Sequence, residues 1–237
     1  MPPLRTLANL ALVLASLVLA LFSVTASLAQ QEGPSFKFSL FEVEGFVISD
    51  SYTIDKSFGE RFELSVPVPF SVDVPRQDNV TTFLNPGDGT DDMQLKIDFV
   101  TGDRDTELSD RRLIENQRFV TMTLPMGPPE ERLQVLARLL ANDGFNRAVA
   151  SYEKNEYIGT RGTKIGDYDA IEVVGRYVDP AIGLLFVRIV GIPNPDGETS
   201  IFSVANIVAD MFELTGPDDL ALTGSGKTLA SFEYIGK

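Results

Sequence analysis

The residues whose types and spacing could do chemistry fall into a few short groups. The most conspicuous is Ala221-Leu222-Thr223-Gly224-Ser225-Gly226-Lys227-Thr228, which satisfies the loose Walker A phosphate-loop pattern with Ala221 in place of the first glycine. A working loop of that kind leaves a buried parallel strand and opens a helix whose N-terminal N–H groups cradle phosphate. Here the preceding Thr215-Gly216-Pro217-Asp218-Asp219 spells a turn, and no βαβ unit is legible upstream. Residues 221–228 therefore read as a Gly-rich turn before a terminal element and as a decoy for nucleotide. Asp88, Asp91 and Asp92 share a short loop with Gly87 and Gly89. Three carboxylates so placed are the candidate metal ligands, suited to Ca²⁺ or Mn²⁺, although their spacing is not that of an EF-hand and turn chemistry alone accounts for Asp and Gly there. Asp167 and Asp169 flank Tyr168; paired carboxylates are the equipment of glycoside hydrolysis when a second one stands at the right distance. The run Asp103, Asp105, Glu107 and Asp110 is interspersed with Arg104, Arg111 and Arg112, which predicts mutual pairing on a solvated surface.

Two missing residue types limit the chemistry further. The 237 residues contain no His and no Cys. Without imidazole or thiol there is no Ser-His-Asp or Cys-His machinery, no disulfide framework and no thiolate metal site. Carboxylates, Lys, Tyr and Ser remain for catalysis, and oxygen-only sites remain for metals. With 34 acidic against 20 basic residues the formal charge is −14, so nucleic acid is not an expected partner.

The chain starts with Met1-Pro2-Pro3-Leu4-Arg5, then runs uncharged from Thr6 to Gln30, densest in Leu, Val and Ala between Leu10 and Phe22. Ser27-Leu28-Ala29 supplies small residues at the −3 and −1 positions of a cut before Gln30. This is the layout of a secretory signal peptide, and an uncleaved membrane anchor is the rival reading. Residues 1–29 are thus expected to be a signal peptide, 30–60 an N-terminal extension or first strands, and 61–237 a single α+β domain. The expected location is periplasmic or secreted, with no stable membrane insertion after cleavage.

The elements that must position these groups follow from periodicity. Strands are expected at 36–43 and 45–48. From Phe62 to Val74 every second residue is apolar, which predicts a strand; Pro67, Pro69 and Pro75 place it at an edge or bend it. Residues 85–89 read as a turn, Met93–Val100 as a partner strand, and Arg118–Leu124 as another. Pro128 and Pro129 open the clearest helix, with the stripe Leu133, Leu136 and Leu140 and a Gly cap at Asp143-Gly144; a second helical stretch runs from Asn146 to Glu153. Asp169–Val178 and Leu184–Ile192 form a hairpin over residues 179–183. Ser200–Phe212 fits both periods, the first half favouring a strand, and residues 226–232 fit a short helix or a last strand.

Strands, a helical middle and a closing meander make an α+β fold, an antiparallel sheet with packed helices. The Gly166-Asp167-Tyr168-Asp169-Ala170 run into the meander, the final Ser231-Phe232 and the Val-Pro-rich strand before the helices resemble the PsbP/Mog1-like α/β/α sandwich group over residues 60–235. The chain departs from that group in having no Trp. The resemblance implies a binding or accessory module rather than an enzyme. The expected function is accordingly a non-enzymatic exported accessory protein holding a protein partner in the cell envelope, without a cofactor. A carboxylate-based glycan hydrolase at Asp167 and Asp169, and a Ca²⁺- or Mn²⁺-responsive protein using the 87–92 loop, are the alternatives.

Overall fold

The computed structural model describes residues 51–61, 67–85, 94–103 and 105–236. In chain order it contains β1 (Tyr52–Ile54), α1 (Lys56–Arg61), β2 (Phe70–Val74), β3 (Val80–Asn85), β4 (Gln94–Thr101), β5 (Leu113–Thr123), α2 (Pro129–Leu139), α3 (Phe145–Val149), β6 (Asn155–Ile165), β7 (Tyr168–Asp179), β8 (Gly183–Ile192), β9 (Thr199–Val208), α4 (Gly224–Ala230) and β10 (Glu233–Tyr234). The expectations at 36–48 and 86–92, including the metal candidates Asp88, Asp91 and Asp92, lie outside the described residues.

Seven strands form an antiparallel sheet in the order β3-β4-β5-β9-β8-β7-β6, and three form a smaller one, β1-β2-β10. The fold is α+β, with layers on both faces of the large sheet. On the front face lie α2 and α3. Two glycines make room for them: a Cβ on Gly191 would sit 2.7 Å from Leu136, and one on Gly175 would sit 2.1 Å from Phe145. On the back face lie α4 and the small sheet, so this layer is itself part strand. Phe70 of β2 stacks 5.0 Å from Phe119 of β5 and 5.5 Å from Phe232, joining the two sheets in one core with Leu95, Ile97 and Val190. Each such fully buried ring contributes up to about 3 kcal/mol. Because both faces are covered, β7 and β8 carry nearly continuous apolar runs, whereas β6 is exposed along most of its length and carries Glu156, Arg161 and Lys164 as charged guards of a sheet edge.

Three local expectations need correction. The alternation before Val74 does not make one long strand at an edge. Residues 56–61 are helical, β2 begins at Phe70, and it is the middle strand of the small sheet, paired with both β1 and β10. The prolines flank the strand, where no ladder hydrogen bond is required of them. The partners of β4 are therefore β3 and β5. Asp143-Gly144 does not cap the helix. Gly144 is helical (φ −61°, ψ −54°), and a π-turn over Leu140–Gly144 carries the chain straight into α3. The wider turn adds a residue, so that Leu136, Leu140, Phe145 and Val149 all face the sheet. Finally, of the two alternatives for residues 226–232 the strand is excluded: the segment is the short helix α4, which begins at Gly224, and β10 follows only at Glu233. The ambiguous stretch near 200 is β9 as far as Val208, with a 3-10 turn after it.

Candidate functional site

The Walker-like stretch Ala221–Thr228 lies at the start of α4. It follows a 3-10 turn over Pro217–Leu222, and Thr223 caps α4 by accepting from the Gly226 N–H at 3.1 Å. The position a phosphate would occupy holds the carboxylate of Glu115, which reaches up from β5. Gly224 N–H donates to Glu115 Oε1 at 2.6 Å; Ser225 donates to Oε2 through its N–H at 3.0 Å and its hydroxyl at 2.5 Å. A Cβ on Gly224 would come within 2.6 Å of Glu115, and one on Gly226 within 2.2 Å of the Leu220 carbonyl. The glycines thus serve close packing against the chain's own groups. Lys227 is exposed, while Glu115 is fully buried. Burial pushes the Glu115 carboxyl above its ordinary value, and the donors on Ser225, Gly224 and Thr223 pull it back.

A second carboxylate displaced by its surroundings is Asp98 of β4. Burial raises it, opposed by Lys96, whose ammonium lies 2.8 Å away, and by Arg118. Asp98 pairs in register with Asn116, and Glu115 with Phe99. Cross-strand partners share a face, so Asp98 leaves the sheet at the front and Glu115 at the back. The sheet itself separates them, and they cannot flank one scissile bond. Glu172, fully buried on β7, is held by Arg188 at 2.6 Å and by Arg161, which also reaches Asp218 at 2.6 Å. Among the described residues no three carboxylates come together as metal ligands.

Asp167 and Asp169 lie elsewhere, at one end of the sandwich. Ile165 and Tyr168 face each other across a two-residue turn in which Gly166 takes φ +54°, the left-handed conformation such turns demand. The turn sets Tyr168 between two clefts. One, of about 340 Å³, is lined by Pro129, Arg132, Leu133, Asp167, Asp169 and Pro193 among others; the other, of about 770 Å³, by Pro67, Pro69, Met122, Glu198, Tyr234 and Ile235 among others. The two meet at Tyr168 and Pro195, which line both. Asp169 is exposed there and paired with Lys164 at 2.8 Å.

The floor of this double groove is held rigidly. Tyr234 N–H donates to the Tyr168 hydroxyl at 3.1 Å, and the two rings meet edge to face at 5.3 Å. The Tyr234 hydroxyl donates to the Ile192 carbonyl and accepts from Ile201 N–H at 3.0 Å; burial raises its pKa. Beneath the smaller cleft Arg132 is buried and donates to the carbonyls of Asn194 (2.6 Å), Gly197 (3.0 Å) and Leu124 (3.2 Å). It thereby fixes the 193–197 loop that supplies Pro193 and Pro195.

With that geometry in view, comparison with known proteins adds the following. No protein-family model and no curated protein matches the sequence. Solved structures do. The chain is similar in fold to the PsbP/Mog1 group. Cyanobacterial PsbP from Synechocystis superposes with a TM-score of 0.44 at 12% identity, covering 83% of this chain and 99% of that one. LpqN of Mycobacterium tuberculosis, described as involved in cell envelope biogenesis, gives 0.41 at 12%, covering 77% and 89%. The Ran-binding protein Mog1p of Saccharomyces cerevisiae gives 0.41 at 10%, covering 79% and 96%.

Sequence reasoning placed Asp167, Tyr168 and Asp169 at the entrance to a strand but did not connect them with the 193–198 loop, with Pro67 and Pro69, or with Tyr234. No local pattern could have done so, because the four segments are joined only by the sheet.

Proposed function

We propose that this chain is a non-catalytic binding protein that works outside the cytoplasm and holds a protein partner in the groove around Tyr168 and Pro195. The observation that carries this reading is the contrast in how acidic and aromatic groups are deployed. The fully buried carboxylates, Glu115 and Glu172, are consumed by the chain's own N–H groups and arginines. The groove instead presents tyrosine and proline faces fixed in place beforehand, which suits recognition without loss of side-chain freedom. Export is supported by the leader-like residues 1–29. Among the described residues no helix is long and apolar enough to cross a membrane.

The test is site-specific photocrosslinking in intact cells from position Ile235, which is exposed at the rim. A discrete protein adduct, lost in Tyr168→Ala, is the expected result. Turnover of a glycan by purified protein, abolished by Asp169→Asn, would overturn the reading in favour of a hydrolase.

A further inference from the structure

Resting on that reading, we infer that the groove's occupant is an extended, proline-containing segment that carries Lys or Arg and is bound in the polyproline II form. Three features of the groove select this chemistry. The first is its lining. Tyr168 and Tyr234 stand edge to face, and Pro67, Pro69, Pro193 and Pro195 surround them. Flat aromatic faces with rigid rings beside them accept the ridges of a polyproline II helix, whose own prolines have little entropy left to lose.

The second is the sign of the rim. Asp167, Asp169, Asp196 and Glu198 are exposed around the groove. Among the described residues, the one cation lining the groove, Arg132, is turned to main-chain oxygens below, and Lys164 beside it pairs with Asp169. An incoming segment therefore meets net negative charge, which attracts Lys and Arg and repels an acidic peptide, an anionic lipid surface or a second copy of this chain at −14. The third is a donor. Arg132 lines the smaller cleft, and its buried Nε–H has no acceptor among the described residues. A polyproline II backbone forms no internal hydrogen bonds, so its carbonyls arrive free.

The experiment is a fluorescence-anisotropy titration of the purified chain with three labelled peptides of equal length. One mixes Pro with Lys and Arg, one has every Pro replaced by Ala, and one has every Lys and Arg replaced by Glu. The first should bind with a micromolar constant, and each of the others about tenfold or more weaker. Tyr168→Ala should weaken the first peptide about tenfold. Since Tyr168 also packs on Phe232, the pair Asp196→Asn and Glu198→Gln provides a variant that leaves the core alone; it should weaken binding several-fold, and raising salt should narrow the gap to wild type. Equal binding of the alanine peptide would overturn the inference, as would binding unaffected by the acidic pair. So would light scattering that shows the groove filled by a second copy, with the dimer lost in Tyr168→Ala. If the peptide arms fail while the Ile235 crosslink still captures a protein, the partner's chemistry is wrong and the binding reading stands. If both fail, both fall.

Discussion

Two regions of this molecule look like binding sites for opposite reasons. The N-terminus of α4 carries a motif, a glycine-rich loop with free-looking N–H groups, yet a side chain from β5 fills it. The Tyr168 groove carries no motif and is built from four separated segments, yet it is open and preformed. A local pattern specifies what the backbone offers. Only the fold decides whether the chain itself accepts the offer.

The sharpest way to break this comparison is to empty the filled site. Glu115→Ala leaves the Gly224 and Ser225 N–H groups buried without an acceptor and leaves the Ser225 hydroxyl only Thr223, and unfolding in denaturant should show a loss of about 3 kcal/mol. Peptide or partner binding by the folded fraction should not change, because the groove lies at another place on the sandwich. A Glu115→Ala protein as stable as wild type would mean that the loop does not depend on its internal carboxylate.

A smaller effect follows from pH. Folding raises the Glu115 carboxyl above its unfolded value of 4.5, so between that value and the folded one the native state holds the extra proton. Stability contributed by this group is full below pH 4.5 and declines as pH rises through the window. The stability difference between wild type and Glu115→Gln should therefore shift against wild type on going from pH 4 to pH 7. A difference independent of pH would show that the donors on Ser225 and Gly224 cancel the cost of burial.

The smallest effect belongs to Lys227, the residue a nucleotide-binding loop could least spare. Lys227→Ala should change stability by less than about 0.5 kcal/mol. Mg²⁺-ATP should raise the melting temperature of neither protein. Tight binding lost in the variant would reopen the filled site.

These outcomes also bear on what could be read from residues alone. The strand β4 and the helix at Pro129 announce themselves by a clean period, and β7 and β8 by their apolar runs, whereas β9 fits both periods until the sheet decides it. β6 does not announce itself, because its edge position leaves it exposed along most of its length, and neither does the π-turn, whose extra residue appears only when Phe145 must meet Gly175. Tyr168 and its flanking aspartates were visible as the entrance to a strand. Glu115 was invisible as a cap, because the 109 positions separating it from Gly224 are bridged by nothing short of the finished sheet.

The pairing of β10 with β2 sets Tyr234 opposite Phe70 and closes one wall of the groove with residues that follow the nine other described strands in sequence. Nothing can dock there on a half-made chain. The groove thus certifies a pairing, and whatever it recognises meets only molecules in which β10 has already joined β2.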